Sequence, residues 1–174
     1  MPISTPIAVT TKSSERNSSS LGNAPTETQG GLRWRVLIVD PHTSIREMLR
    51  VILEGYSDLI EVVGEASNGD QAVELAKTMP IDLVLMDTHL SDGIDATRRI
   101  KQLVPQVVIM GTSAEYTPFL YNAMIAAGAV AFIRMEDAAD LLFRSIVFAM
   151  CTYGPKHMLV PPQSTLRQNA ASFV

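Results

Sequence analysis

The chain has 174 residues, enough for one medium domain with tails, and 47% of them are hydrophobic, enough for a sizeable core. A net charge of −4 argues against a strongly basic nucleic-acid surface, and a single cysteine, Cys151, excludes an internal disulfide. No run approaches the ~18 apolar residues of a membrane span, and the N-terminus lacks a signal peptide's basic start and apolar stretch, so a cytoplasmic protein is expected.

Residues 1–33 hold eleven Ser or Thr in the first thirty, with Pro2, Pro6, Pro25 and the pair Gly30-Gly31. Such a segment buries too little apolar area to offset its ordering entropy, and it reads as a disordered leader. The first strand is expected at Val36–Val39, ending in Asp40 and followed by Pro41 and His42. Ser44 with Glu47 has the spacing of a capping box, and Ile45, Met48, Leu49 and Ile52 share one helical face. The mixed run from Ile60 to Glu65 suits an edge strand. Ala72, Val73, Ala76 and Met79 give a second helical face. Leu83–Met86 makes a third strand closing on Asp87, and Asp92 is placed to cap a third helix with Ala96, Ile100 and Leu103 inward. Val107–Met110 is the fourth strand. Thr117-Pro118 opens the fourth helix and Gly128 ends it, with Leu120, Ala123, Met124 and Ala127 inward. Val130–Ile133 is the fifth strand, and Ala138, Leu141, Leu142, Ser145, Ile146 and Ala149 mark the fifth helix. Pro155, Pro161 and Pro162 break residues 152–174 into a short tail, leaving a domain at 34–151.

Four of the five strand runs are apolar without polar alternation, as in strands buried on both faces of a parallel sheet. Strict alternation with helices predicts an α/β doubly wound sheet with helices on both faces. Ligands of such sheets bind beyond the carboxyl ends of the strands, where strand order reverses. Asp40 and Asp87 should converge there, with Thr112 and Ser113 beyond the fourth strand and Arg134 and Met135 beyond the fifth. "DPHTS" is not the glycine-rich turn of a dinucleotide site, and no phosphate-cradling loop with its lysine exists. A flavin loop of the flavodoxin kind disfavours a carboxylate at Asp40. His42, His89, His157 and one cysteine lack zinc-ligand spacing, and a triad of Ser113, His42 and Asp87 lacks the nucleophile elbow. A carboxylate nucleophile beside a hard-metal site remains.

Three segments carry a family resemblance: "VLIVDPHTSIREML", "VVGEASNGDQAVELAKTMPIDLVLMD" and "AMIAAGAVAFIR". They resemble response-regulator receiver domains of the CheY-like kind, over about Arg35 to Cys151. "SIVFAMCTYGPKHMLVPP" is similar to the end of receivers that precede a LuxR-type helix-turn-helix, and only a short tail is expected after it here. The resemblance implies strand order 2-1-3-4-5. It implies phosphorelay signalling, with Asp87 accepting a phosphoryl group from a sensor histidine kinase or phosphotransfer protein. It also implies Mg²⁺ held by Asp40, Asp87 and the backbone carbonyl of His89, with Ser113 and Phe132 as the switch pair. A register shifted by one residue would instead offer Thr112 and Arg134 to the phosphate.

Two departures follow from the same comparison. Pro41 stands where the family has a second acid, which should weaken Mg²⁺, and Met135 stands where it has a lysine. These favour, as the alternative, a pseudo-receiver acting as a phosphorylation-independent interaction module. The resemblance further implies a downstream partner or a homodimer at the face of the fourth helix, fifth strand and fifth helix, where Phe119 and Tyr121 point outward. Neither direct nucleic-acid binding nor a membrane is expected, and stoichiometric phosphoryl transfer is not counted as enzyme turnover.

Overall fold

Apolar runs without polar alternation become strands covered on both faces. In the computed structural model, which describes residues 33–155 apart from residue 116, these are β1 (Trp34–Val39), β2 (Ile60–Ala66), β3 (Leu83–Asp87), β4 (Val108–Ser113) and β5 (Ala131–Arg134). They alternate with α1 (Thr43–Glu54), α2 (Gly69–Thr78), α3 (Gly93–Leu103), α4 (Pro118–Ala127) and α5 (Ala138–Tyr153). All pairings are parallel, in the order β2-β1-β3-β4-β5. The expected doubly wound α/β sheet is therefore present, with order 2-1-3-4-5. Order reverses between β1 and β3, and Asp40 and Asp87 stand at their carboxyl ends.

Alternation along each strand divides the core into two layers. Val36, Ile38, Leu83, Leu85, Val108, Met110 and Ile133 face α1 and α5, meeting Leu49, Leu53, Leu142 and Ile146. Leu37, Val39, Val84, Met86 and Ile109 face α2, α3 and α4, meeting Val73, Ala96, Ile100 and Met124. Each fully buried large aliphatic side chain contributes about 1.5–3 kcal/mol. Asp82 ties the starts of β1 and β3 together. Its Oδ2 accepts from Arg35 N and Nε at 2.8 Å each, and its Oδ1 accepts from Arg35 Nη2 at 2.8 Å.

Several local expectations are corrected. No capping box forms: α1 starts after His42 without a side-chain cap, and Ser44 lies inside its first turn. The inward face of α1 centres on Leu49 and Leu53, while Met48 is exposed. Met79 is the extended residue after α2. Leu103 is 50% exposed and Leu141 is exposed as well, because each lies at the margin of its helix's buried stripe. β5 is half exposed, as befits the second sheet edge. α5 continues through Tyr153, two residues past the expected boundary at 151. The leader through residue 32 and the tail from residue 156, including His157, lie outside the described residues.

α4 follows its signals. The Thr117 side chain accepts from Leu120 N, Pro118 opens the helix, and Gly128 closes it at φ 113°. A positive φ of that size favours glycine, and a Cβ there would also meet Lys101 Cγ at 2.8 Å.

Candidate functional site

β1, β3 and β5 deliver Asp40, Asp87 and Met135 to one cleft of about 470 Å³, lined also by His42, Ser44, Ile45, His89, Ala114 and Glu115. The cleft opens at the switch point of the sheet, where parallel α/β folds place their ligands. Asp40 is 4% exposed and Asp87 6%. Both continue the strand faces that look toward α1 and α5.

Asp40 is held by its own loop. Its Oδ1 accepts from His42 N at 2.7 Å and lies 3.1 Å from His42 Nδ1. Its backbone carbonyl accepts from Arg46 Nη1 at 2.8 Å. Arg46 and Arg50 also clamp Glu65: Arg46 Nε donates to Oε2 at 2.9 Å, and Arg50 Nε donates to Oε1 at 2.8 Å. Burial pushes the Glu65 carboxyl up, but the bonds from Arg50 and Arg46 outweigh it and hold it below its ordinary value. Pro41 supplies no donor or side-chain oxygen and begins the turn into α1.

Asp87 is far less satisfied. Its Oδ1 accepts from His89 N at 3.3 Å, and among the described residues nothing donates to its Oδ2. Burial raises its pKa, the His89 N–H partly offsets this, and the charge of Asp40 raises it further. This is an electron-rich, incompletely solvated carboxylate facing an open cleft, the arrangement a nucleophilic or metal-binding carboxylate requires.

The remaining expected residues fall in different places. Ser113 is fully buried, and its hydroxyl donates to Glu115 O at 2.5 Å while accepting from Glu115 N at 3.2 Å. It continues the β4 face that looks toward α4. Phe132 lies on that same face, with its ring 6.0 Å edge-on from Tyr121. A Cβ on Gly111 would come within 2.9 Å of the Phe132 ring. Thr112 is the register partner of Asp87, on the α1/α5 side. Its buried Oγ1 and that of Thr88 have no hydrogen-bond partner among the described residues. Arg134 faces away from the cleft. It pairs with Glu136 and, at 2.8 Å, with Asp137, and it lines a separate groove with Tyr121 and Leu141. The shifted register that pairs Thr112 with Arg134 as phosphate contacts is therefore not the one assembled: Met135, not Arg134, enters the cleft wall.

His42 is the partner of Asp40, and its sequence signal is the Asp-x-His spacing of an Asx turn at a strand end. Glu115 and Ile45 line the cleft without a sequence signal for it. Among the described residues, no three His, Cys, Asp or Glu side chains are placed to hold a metal ion by themselves. Mg²⁺ asks less of the protein, since water completes its octahedron. One oxygen of Asp40 and one of Asp87 are free of protein donors, and the His89 carbonyl belongs to the same loop. The donor set fits a hard, hydrated cation, with Asp40, Asp87 and that carbonyl as its holders.

A family model described as the response regulator receiver domain matches residues 36–145. Transcriptional regulatory protein LiaR of Bacillus subtilis (strain 168) is 39% identical over 111 residues, covering 62% of this chain and 52% of that protein. Response regulator protein VraR of Staphylococcus aureus is 36% identical over 110 residues, with 62% and 52% covered. The chain thus spans about half the length of these curated relatives. Among solved structures, the response regulator domain of Thermotoga maritima CheB superposes with a TM-score of 0.62 at 28% identity, covering 75% of this chain and 100% of that one. A LuxR-family two-component response regulator from Aurantimonas sp. SI85-9A1 gives 0.63 at 24% identity, with 79% and 99% covered, and shares the fold. No described helix is long and apolar enough to cross a membrane.

Proposed function

Because the chain belongs to the response regulator receiver domain family of two-component systems, we propose that Asp87 accepts a phosphoryl group from the phosphohistidine of a sensor histidine kinase or phosphotransfer protein. The observation that carries this reading is the Asp87 carboxylate itself: 6% exposed, at the switch point, with one oxygen free and Asp40 beside it over an open cleft. Receiver domains generally bind Mg²⁺ at this place. Here Asp40, Asp87 and the His89 carbonyl would hold it, and the ion would neutralise charge between the attacking carboxylate and the phosphoryl group. Pro41 leaves the set one carboxylate poorer, so Mg²⁺ binding is weaker than two adjacent acids would give.

Ser113 then leaves Glu115 for the phosphoryl oxygens, and Phe132 repacks against α4. The surface formed by α4, β5 and α5, where Phe119 is 78% exposed, becomes the readout for a downstream protein or a second copy. Transfer of this kind is stoichiometric signalling rather than turnover, without direct nucleic-acid contact by this domain. Incubation with phosphoramidate and Mg²⁺, followed by intact mass, tests the reading. A phosphoryl adduct lost in Asp87→Asn is expected, and no adduct, or one indifferent to that substitution, overturns it.

One observation favours a second reading. Met135 in the cleft wall and Pro41 after Asp40 remove two groups that phosphoryl transfer uses. A pseudo-receiver would bind its partner through the α4–β5–α5 face regardless of phosphate. Partner affinity unchanged by Asp87→Ala supports it, and tight Mg²⁺ binding that depends on Asp87 opposes it.

A further inference from the structure

The side of the molecule formed by α4, β5 and α5 is apolar beyond the needs of the core. None of the ten residues of α4 carries a charge, and Phe119 and Ile125 stay exposed on it. A surface helix puts charge on its outer face, whereas a helix apolar all round is one that something covers. Between α4 and α5, beside the β5 edge, lies a groove of about 410 Å³ walled by Tyr121, Phe132, Leu141 and Ser145. On α5, Leu141, Ser145, Phe148 and Thr152 recur at i, i+4, i+7 and i+11, so they share the helix face next to this groove, while Leu142, Ile146 and Ala149 turn to the sheet. Phe148 is 65% exposed. The stripe therefore runs from the groove to Tyr153, where α5 ends and Gly154 takes an extended conformation at φ −72°, ψ 170°.

The sequence that follows supplies an occupant. Met158, Leu159 and Val160 are consecutive apolar residues ahead of Pro161 and Pro162, and a residue before proline favours extended backbone. Residues 156–174 include Lys156 and Arg167 and no acid, whereas Glu136, Asp137 and Asp140 outnumber Arg134 at the groove end of α5. The reach also matches. From Tyr153 back to Leu141 the helix spans about 18 Å at about 1.5 Å per residue. An extended chain at about 3.3 Å per residue covers that in about six residues, which brings 158–160 beside Ser145 and Leu141. Side-chain packing is favoured over an added strand. α5 lies on the same sheet face as α1, and β1 to β2 steps the other way along the sheet, so a sixth strand beyond β5 needs a left-handed crossover. We propose that residues 158–160 of this chain turn back along α5 and occupy the groove between α4 and α5, with Leu159 and Val160 against Phe148 and Leu141. The consequence for signalling rests on the reading of this face as the readout of Asp87. Repacking of Phe132 changes one wall of the groove, releases the segment and uncovers the face for the downstream protein.

The test uses the full chain. Leu159→Asp combined with Val160→Asp is expected to move the amide resonances of Leu141, Ser145 and Phe148 at every protein concentration, while those of Val73 and Ala76 on α2 stay in place. Phe148→Asp, at an exposed position, should speed tryptic cleavage after Lys156 roughly tenfold, because cleavage tracks the population in which the segment is undocked. Phosphoramidate with Mg²⁺ should speed the same cleavage in the wild type and add nothing in Phe148→Asp. Resonances that ignore the double substitution, or cleavage indifferent to Phe148→Asp, overturn the segment as occupant. Resonances that move on dilution instead, alike in wild type and double variant, give the groove to a second copy and overturn it as well. An adduct on Asp87 that leaves wild-type cleavage unchanged overturns the release step while docking stands. No adduct at all overturns the phosphoacceptor reading alone.

Discussion

The carboxyl of Asp87 titrates above its ordinary range because burial disfavours its charged form; the His89 N–H partly offsets this, and the charge of Asp40 adds to it. The folded chain therefore holds this proton more tightly than the unfolded chain does. Stability from the group is fully present below the unfolded pKa of about 3.9 and is lost as pH rises through the folded value. Asp87→Asn should raise Tm at neutral pH and flatten the fall of Tm above about pH 4, where the unfolded carboxyl ionises. Thermal denaturation across pH checks this, and added Mg²⁺ should raise the Tm of the wild type more than that of the variant. Glu65 has the opposite sign: its arginine pair contributes above the unfolded pKa and is lost as pH falls through the depressed folded one. Asp82 presents another buried carboxylate, but a fully engaged one. Asp82→Ala strands the Arg35 donors and should cost about 2–3 kcal/mol in urea denaturation. The positions of Asp40 and Asp87 were legible because each closes an apolar run. The engagement of Asp40 by His42 had only a local signal, the two-residue Asx-turn spacing, which does not show that the His42 ring also comes to the carboxylate.

Secondary-structure elements were legible where a buried run or a terminus signal acts within one segment. α4 shows this at both ends: Thr117 accepts from its own helix, and Gly128 takes the left-handed conformation that stops it. The signals misread were those whose partner lies in another element. Ser44 and Glu47 have capping-box spacing, yet the tight turn after Asp40 starts α1 two residues earlier, with His42 at the N-cap, and draws Ser44 into the helix. Asp92 sits at the N-cap of α3 but makes no side-chain bond to that helix. Its oxygens accept from Gly69 N, at the start of α2, at 3.0 and 3.1 Å. The close approach of α2 and α3 explains this, since a Cβ on Gly69 would lie 2.7 Å from Ala96 Cβ. One carboxylate thus satisfies an orphan donor of its neighbour. Asp92→Ala should cost about 1 kcal/mol, as loss of an N-cap does. Asp95→Ala, which removes only exposed pairs with Arg98 and Arg99, should stay within about 0.5 kcal/mol. Urea denaturation of both variants separates the cross-helix cap from a surface ion pair.

At the scale of the whole molecule, the sheet separates chemistry from readout. Asp40 and Asp87 continue the faces packed on α1 and α5, whereas Ser113 and Phe132 continue those packed on the α4 side. Residue order predicted that these groups would gather at one end of the sheet, but it could not show that the Ser113 hydroxyl is engaged elsewhere. Ser113 is bonded in both directions to the Glu115 backbone, so it must surrender those bonds before it can reach across the sheet's end to Asp87. Two discrete bonding states for one hydroxyl make a two-state element, and phosphate biases it only through the difference in affinity between them. Ser113→Ala deletes the hydroxyl from both states. Phosphorylation of Asp87 should then proceed at near wild-type extent, because the hydroxyl is not the nucleophile. The response of the far face should largely vanish, because nothing draws the β4 loop toward the phosphoryl group. Amide chemical-shift changes at Tyr121, Phe132 and Leu141, measured with and without phosphoramidate, distinguish the cases. A Ser113→Ala variant whose shifts move as far as those of the wild type would show that the signal crosses the sheet by another route. A second hydroxyl on the β4 side of Asp87 is that of Thr112, buried, without a hydrogen-bond partner among the described residues and opposite Asp87 in register. The double variant Ser113→Ala with Thr112→Val then decides whether it carries the remainder.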